Sequence, residues 1–434
     1  MVALFSVENF YLLLLLFVPL SVQLRFILPE PPADLFLPTE PMLLVLLFLF
    51  LFRAVNSREV SARLFTQPFS ILIIIMLVWM AITSITSVSP LISIKAFISR
   101  VWFISGFYLF SQLLFKGRDK MVRSFKFLTL GIIPVLVYNF IRLAQVGFFN
   151  QKAAHSTMWP FFNDHTSFGA AIAFIIPVVI YIIVSEHRLY RRLFWVIIVA
   201  ILFTGLLFSY SRAAWLSLAV ASILAVVLLL RVPWKIIASG VITIITVVII
   251  SWGSIINFLE SIRQDSSADI SDHIKSAANI TTDASNMERI NRWKAAYRMV
   301  REKPLLGWGP NTYQFNYAPY QMQAERTIIS TNFGDRGNAH SEYFGSAVDS
   351  GIPGALLYLS LVIYALFTGI RYTFIQDNRM LRLFMIAVVT GLATYAIHGM
   401  LNNFLDTDKL SAPFWISIAV IASMNEELKG REID

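Results

Sequence analysis

Two arginines and a histidine in this sequence have the types and spacing for phosphate and hydroxyl chemistry. Ser209-Tyr210-Ser211-Arg212 lies between two long apolar runs, so it is a very tight hairpin that gathers the Ser209 and Ser211 hydroxyls and the Arg212 guanidinium. A guanidinium meets phosphate oxygens as a planar fork and stays charged at any physiological pH. Arg212 therefore suits an anionic headgroup. Further on, Ser285-Asn286-Met287-Glu288 reads as a capping box, with Ser285 as N-cap and Glu288 three residues later. The helix it opens is stopped by Lys303-Pro304. Ile290, Trp293, Tyr297 and Val300 form its apolar stripe. Arg289, four residues before Trp293, borders that stripe and faces the protein body, in a ligand site or in a structural salt bridge. Lys294, Arg298 and Arg301 project elsewhere, toward solvent or headgroups.

His340 lies in Asn338-Ala339-His340-Ser341-Glu342, which leads into a short helix closed by Gly351-Ile352-Pro353-Gly354. The positive end of a helix dipole disfavours imidazolium, and a neutral histidine near pH 7 is a competent general base. Asn338 is a candidate substrate contact beside it. Arg100 and Arg142 also sit at span ends where cations are otherwise scarce. A cation near hydrocarbon faces a polar cavity or the bundle interior, or it snorkels to headgroups; Arg100 is a candidate for the cavity and Arg142 for snorkelling. His165, in Phe161-Phe162-Asn163-Asp164-His165, binds donor or acceptor, or caps a span. His398, followed by Asn402 and Asn403, lines the same cavity or holds a buried hydrogen-bonded structural place.

These residues must be positioned by membrane helices. The chain has 434 residues, 57% hydrophobic and 14% charged, against a usual charged share of about 25%; its mean hydropathy is +0.68. Apolar residues come in runs such as Ile71–Met80 and Ala219–Leu230, not in amphipathic stripes. Segments of bilayer length fall near 9–28, 36–53, 69–87, 94–115, 125–148, 166–185, 192–209, 212–230, 234–257, 344–371, 381–401 and 410–424. The expectation is an all-α integral membrane protein of about twelve spans, one polytopic domain, with a large hydrophilic loop at 258–340. The first run, Phe10–Leu20, lacks a small-residue cleavage site and reads as a retained span.

The net charge of +9 is carried by short segments between apolar runs, such as Arg188, Arg191 and Arg192. That is a cytoplasmic-loop pattern rather than a nucleic-acid surface. The positive-inside rule then puts both termini in the cytoplasm and the 258–340 loop outside it. The sequence has no cysteine, which excludes disulfides and thiolate metal sites.

The ordered set Ser209–Arg212, Glu288-Arg289-Ile290-Asn291-Arg292-Trp293, Pro304-Leu305-Leu306-Gly307-Trp308-Gly309-Pro310 and His340 through Gly354 resembles the O-antigen ligase superfamily. That superfamily includes lipid-A-core O-antigen ligases, O-antigen polymerases and protein O-oligosaccharyltransferases. The likeness extends over most of spans six to twelve; the first five match in hydropathy alone. It implies a GT-C-like architecture in the bacterial inner membrane with a periplasmic active site. It also implies transfer of a glycan from undecaprenyl diphosphate to an acceptor hydroxyl, for which a lipid A-core sugar is the leading candidate. Arg212 and Arg289 would hold the diphosphate leaving group, and His340 would deprotonate or orient the acceptor in an inverting displacement. No cofactor is implied, and the sequence has no carboxylate cluster of the kind that binds a metal. Ser341 stands where relatives often have Asn directly after the histidine, and His165 where many have Asn. The reading from another class is a flippase or secondary transporter, which usually has short outer loops and midplane charges.

Overall fold

A computed structural model of the chain describes residues 6–28, 35–56, 61–115, 117–233, 273–327, 330 and 337–433, with isolated stretches between 235 and 254. It is an all-α membrane protein. Among the described residues nine helices are long and apolar enough to cross a membrane. They are α2 (Thr39–Asn56), α3 (Pro68–Ile85), α4 (Pro90–Leu114), α5 (Arg118–Val146), α6 (His165–Ser185), α7 (Leu189–Phe208), α8 (Arg212–Leu229), α10 (Glu342–Ile375) and α11 (Arg379–His398). Before them comes α1 (Val7–Phe17), between α8 and α10 lies α9 (His273–Glu302), and α12 (Asp408–Ile433) closes the described chain.

Two expectations are corrected. The first apolar run is not one helix of bilayer length: α1 has 11 residues, ~16 Å at the usual rise. Pro19 has no N–H to continue the ladder. The chain then turns so that Val22 and Gln23 pair antiparallel with Leu37 and Phe36. The second correction concerns α9, which begins well before the capping box. Glu288 does not cap it. Its carboxylate is buried and pairs with Arg292 at 2.9 Å, and Thr327 Oγ1 donates to it at 2.8 Å. A carboxylate so enclosed needs a cationic partner. The expected ninth span, 234–257, and residues 258–272 of the loop lie largely outside the described residues.

The centre of the bundle is α6, with 83% of its apolar window buried, beside α11 with 67%; the other candidate spans are each under half buried. Small residues permit this contact. A Cβ on Gly391 of α11 would come within 2.7 Å of the Phe174 carbonyl on α6. The N-terminus of α6 and the C-terminus of α11 therefore share one end of the bundle.

At that end the loop is strapped to the helices by main-chain hydrogen bonds. The Trp308 N–H donates to the Val348 carbonyl at 2.8 Å and the Gly309 N–H to that of Asp349 at 2.9 Å. The Ile352 N–H donates to Pro304, and the Val88 N–H to Trp308. This close approach explains the glycines of the 304–310 segment. Gly307 and Gly309 have φ of +68° and +109°, and a Cβ on Gly309 would lie 1.9 Å from Ser87 Oγ. The strap docks where α10 breaks, at Ser350 and Gly351, close to where the sequence closes a short helix.

Candidate functional site

The site grows from the entry to α10. Ser341 caps this helix, its hydroxyl accepting from the Phe344 N–H at 3.4 Å. The next residue, Glu342, is buried. Its Oε1 accepts from the Phe404 N–H at 2.7 Å, the Leu405 N–H at 2.9 Å and the Tyr395 hydroxyl at 2.5 Å. The Glu342 N–H donates in turn to the Gly399 carbonyl at 2.8 Å. Arg100 donates to the Leu405 carbonyl at 3.0 Å and interacts electrostatically with Glu342. The α11–α12 turn is thus pinned to the start of α10 by a carboxylate and its countercharge. Arg100, a candidate substrate contact by sequence, belongs to this anchor. Arg142 donates to the Trp159 carbonyl at 2.9 Å.

The turn carries Asn402 to the histidines. Asn402 Nδ2 is 3.2 Å from Nε2 of the fully buried His398, and its side chain also bonds His340. His340 has φ +49°, a conformation several-fold enriched for histidine yet uncommon. Three contacts hold it there. Its N–H donates to Asn338 Oδ1 at 3.0 Å, its carbonyl accepts from Trp293 Nε1 at 3.1 Å, and Arg292 donates to the neighbouring Asn338 carbonyl at 3.0 Å. Burial, reinforced by the Arg292 and Arg289 charges, pushes the His340 imidazole down to about 3. The ring is neutral, as the sequence implies, but desolvation is the main cause rather than a helix dipole.

Arg289 lies one turn before Arg292 and Trp293, the two residues that grip the 338–340 segment. Its charge is felt by His340, His398 and His165. Burial lowers its proton affinity and Asp164 partly restores it. Asp164 caps α6, accepting from the Thr166 and Ser167 N–H groups at 2.7 and 2.8 Å. His165, the first residue of α6, stacks on His155 with ring centroids 3.9 Å apart. The apolar stripe of α9 differs from the expected one: Tyr297 is exposed, whereas Ala295, Ala296 and Met299 are buried. Arg298 and Lys294 do not project freely, because both pair with Glu325, at 2.7 and 3.6 Å.

Arg212 opens α8 and is exposed. Its hairpin is tight because Tyr210 takes φ +51° and because Gly169 of α6 leaves room. A Cβ on Gly169 would meet Ser211 Cβ at 2.8 Å and Ser209 Oγ at 2.9 Å. Both serines are buried. Ser209 donates to the Leu206 carbonyl at 2.7 Å and Ser211 caps α8, so their hydroxyls hold the turn while the guanidinium is presented. The backbone of Ala213 neighbours the His398 ring, which links the hairpin to Asn402 and His340.

The structure thus brings together Arg289, His340, His165, His398 and Asn338, with Arg212 at the edge and Arg100 in the supporting anchor. Sequence reasoning missed Asp164, Glu342 and Arg292. The signal for Asp164 was present, since Asp before Thr-Ser and an apolar run is a helix-start pattern. The pairing of Glu342 with a turn about sixty residues later had no local signal.

Fold and site define a helical membrane protein with a cationic, histidine-bearing site at one end of its bundle. Residues 197–359 match the family model described as O-antigen ligase, so this part of the chain is similar to the O-antigen ligase superfamily. The matched segment starts inside α7 and ends inside α10, so it contains Arg212, Arg289 and His340 and leaves Arg100, His165 and His398 outside. No curated protein matches the chain.

Proposed function

We propose that the protein transfers a glycan from undecaprenyl diphosphate to an acceptor hydroxyl, with a lipid A-core sugar as the leading acceptor. The observation that carries this reading is the neutral His340 within the field of Arg289, joined through Asn402 and His398 to the hairpin of Arg212. His340 takes the acceptor proton, or orients the hydroxyl, as the oxygen attacks the anomeric carbon. The bond to the diphosphate breaks on the opposite face, which inverts the centre. Arg212 and Arg289 stabilise the charge that the departing diphosphate gains. Ser209 and Ser211 serve by setting the hairpin, and His165, His398 and Asn338 line the space between it and α9. No step needs a metal or cofactor. By the charge rule of the short loops this site faces the periplasm, with both termini in the cytoplasm.

The test uses purified protein in vesicles with lipid-linked glycan and candidate acceptors: lipid A-core, a growing polysaccharide and protein serine or threonine. Transfer to one of them, lost in His340→Ala and Arg212→Ala, supports the reading and identifies the acceptor. Undiminished transfer by both variants removes the site assignment. Donor movement across the vesicle without transfer makes the protein a flippase.

A further inference from the structure

A cavity of about 110 Å³ opens beside the cationic site. Its wall includes the carboxylates Asp164 and Asp406, the amides Asn338 and Asn403, and the rings Phe161 and Phe404. Two of these residues join it to the chemistry already described. Asn338 accepts from the His340 N–H, and the Asp164 charge is felt by Arg289 and His398. Asn403 adds an unsatisfied acceptor: its Oδ1 is buried and has no hydrogen-bond partner among the described residues. A buried acceptor without a donor is costly and rare, so a ligand that donates there gains what the fold forgoes.

The lining argues against an anion. Lys409 also borders the cavity, but its ammonium is buried and donates to the Val18 and Ser21 carbonyls at 2.7 Å each, with Asp408 at 3.6 Å. What remains is two carboxylates, amides and apolar walls. Carboxylates and amide oxygens accept from hydroxyls, and phenyl rings pack against C–H faces. A neutral, hydroxyl-rich ring matches that set; a phosphate does not, and the arginines serve the phosphate instead.

We propose that this cavity is a sugar-ring subsite of the transferase, built by Asn403, Asp406, Asp164 and the Phe161 and Phe404 walls. It rests on the glycosyl-transfer reading, and the ring belongs either to the donor glycan or to the acceptor. Asn338, which lines the cavity and accepts from the His340 N–H, connects a bound ring to the segment that carries the histidine.

The test measures saturation-transfer NMR with methyl pyranosides of a hexose, a heptose and an N-acetylhexosamine, on full-length protein in detergent. At least one ring is expected to bind. Asn403→Ala should weaken it by ~3- to 10-fold, the size of one lost hydrogen bond. Asp406→Asn, which keeps the shape of the side chain and removes its charge, should weaken it similarly. Arg212→Ala should leave ring binding unchanged. In transfer assays the same cavity variants raise the KM of one substrate, and whether that is donor or acceptor assigns the ring. Saturation that is absent, or equal in wild type and both cavity variants, overturns the proposal even where His340→Ala abolishes transfer. Cavity-dependent ring binding in a protein that transfers nothing leaves the subsite standing and removes the functional reading.

Discussion

The Trp293 indole N–H donates to the main-chain carbonyl of His340 at 3.1 Å, across 47 positions of sequence. The Trp293 ring also stacks on Phe344, one turn into α10. One side chain of α9 therefore fixes the backbone on which the candidate base sits, while Arg289, a turn earlier on the same helix, contributes charge to the same site. Loop helix and base are one mechanical unit.

Trp293→Phe keeps the ring and deletes the N–H. The expected result is a fall in kcat of ~10-fold with little change in either KM, because displacement of a reacting group by ~1 Å can cost as much as 10²-fold. The loss in stability should stay near 1 kcal/mol, the net worth of one hydrogen bond. Steady-state kinetics and thermal melting of one preparation check both.

The His340 imidazole, held down to about 3 by burial, stays neutral well below the usual histidine value of ~6.5. A rate that depends on the neutral ring should not drop between pH 7 and pH 5, where an exposed histidine would lose most of its activity. The stability linkage has the opposite visibility. The unfolded chain takes up the proton first as pH falls below ~6.5, so stability is lost progressively from there toward the folded value. A pH–kcat profile with a midpoint near 6.5 would remove His340 from the role of buried base.

Glu342 and Arg100 carry the α11–α12 turn, and with it Asn402. Glu342→Gln weakens the acceptor that Phe404, Leu405 and Tyr395 share. Glu342 is buried and the half-buried Arg100 acts on it through its electrostatic field, so removing either group leaves the other less compensated. Arg100→Met alone and Glu342→Gln alone should each lower the melting temperature markedly. The double variant should lose less than the sum of the two, since no lone charge remains. Additive losses would show that the pair does not act together.

How much of this was legible follows from the range of each interaction. Apolar runs of bilayer length mark the spans because each helix meets lipid on its own. Distance in the chain hid the rest. The Glu342 anchor joins residues about sixty apart, and Arg292 has to be seen against Tyr317, 4.9 Å away, and Asn338. The capping-box reading of Ser285–Glu288 failed because the helix already starts at His273, and the Glu288 carboxylate pairs with Arg292 one turn on and accepts from Thr327. Ser209 and Ser211 looked like ligand hydroxyls because the sequence cannot show Gly169 of another helix pressing against them.

Gly351 tests the strap. Its φ is +69°, and a Cβ there would lie 2.0 Å from the Leu305 carbonyl. Gly351→Ala meets both a disfavoured backbone and a main-chain atom that cannot step aside. The expected result is release of the 304–310 segment, read as new proteolytic cleavage there, together with poor yield of folded protein. Gly240→Ala, where nothing lies within 4 Å of the added methyl, is the control and should behave as wild type.

Arg212 separates charge from shape. It is exposed at the head of α8, so its replacement leaves the buried hairpin serines in place and should not lower the melting temperature. Arg212→Ala removes a guanidinium from the position proposed to receive the diphosphate, and a fall in kcat of ~10²-fold is expected for loss of one preorganised group at developing charge. Arg212→Lys keeps the charge and loses the fork; it should recover part of kcat but not all of it. The acceptor KM should stay unchanged in both, because the acceptor hydroxyl is handled by His340 on the other side of the site. A large change in acceptor KM with donor kinetics intact would move Arg212 from the leaving-group side to the acceptor side, and the direction of the proposed displacement would have to be reversed.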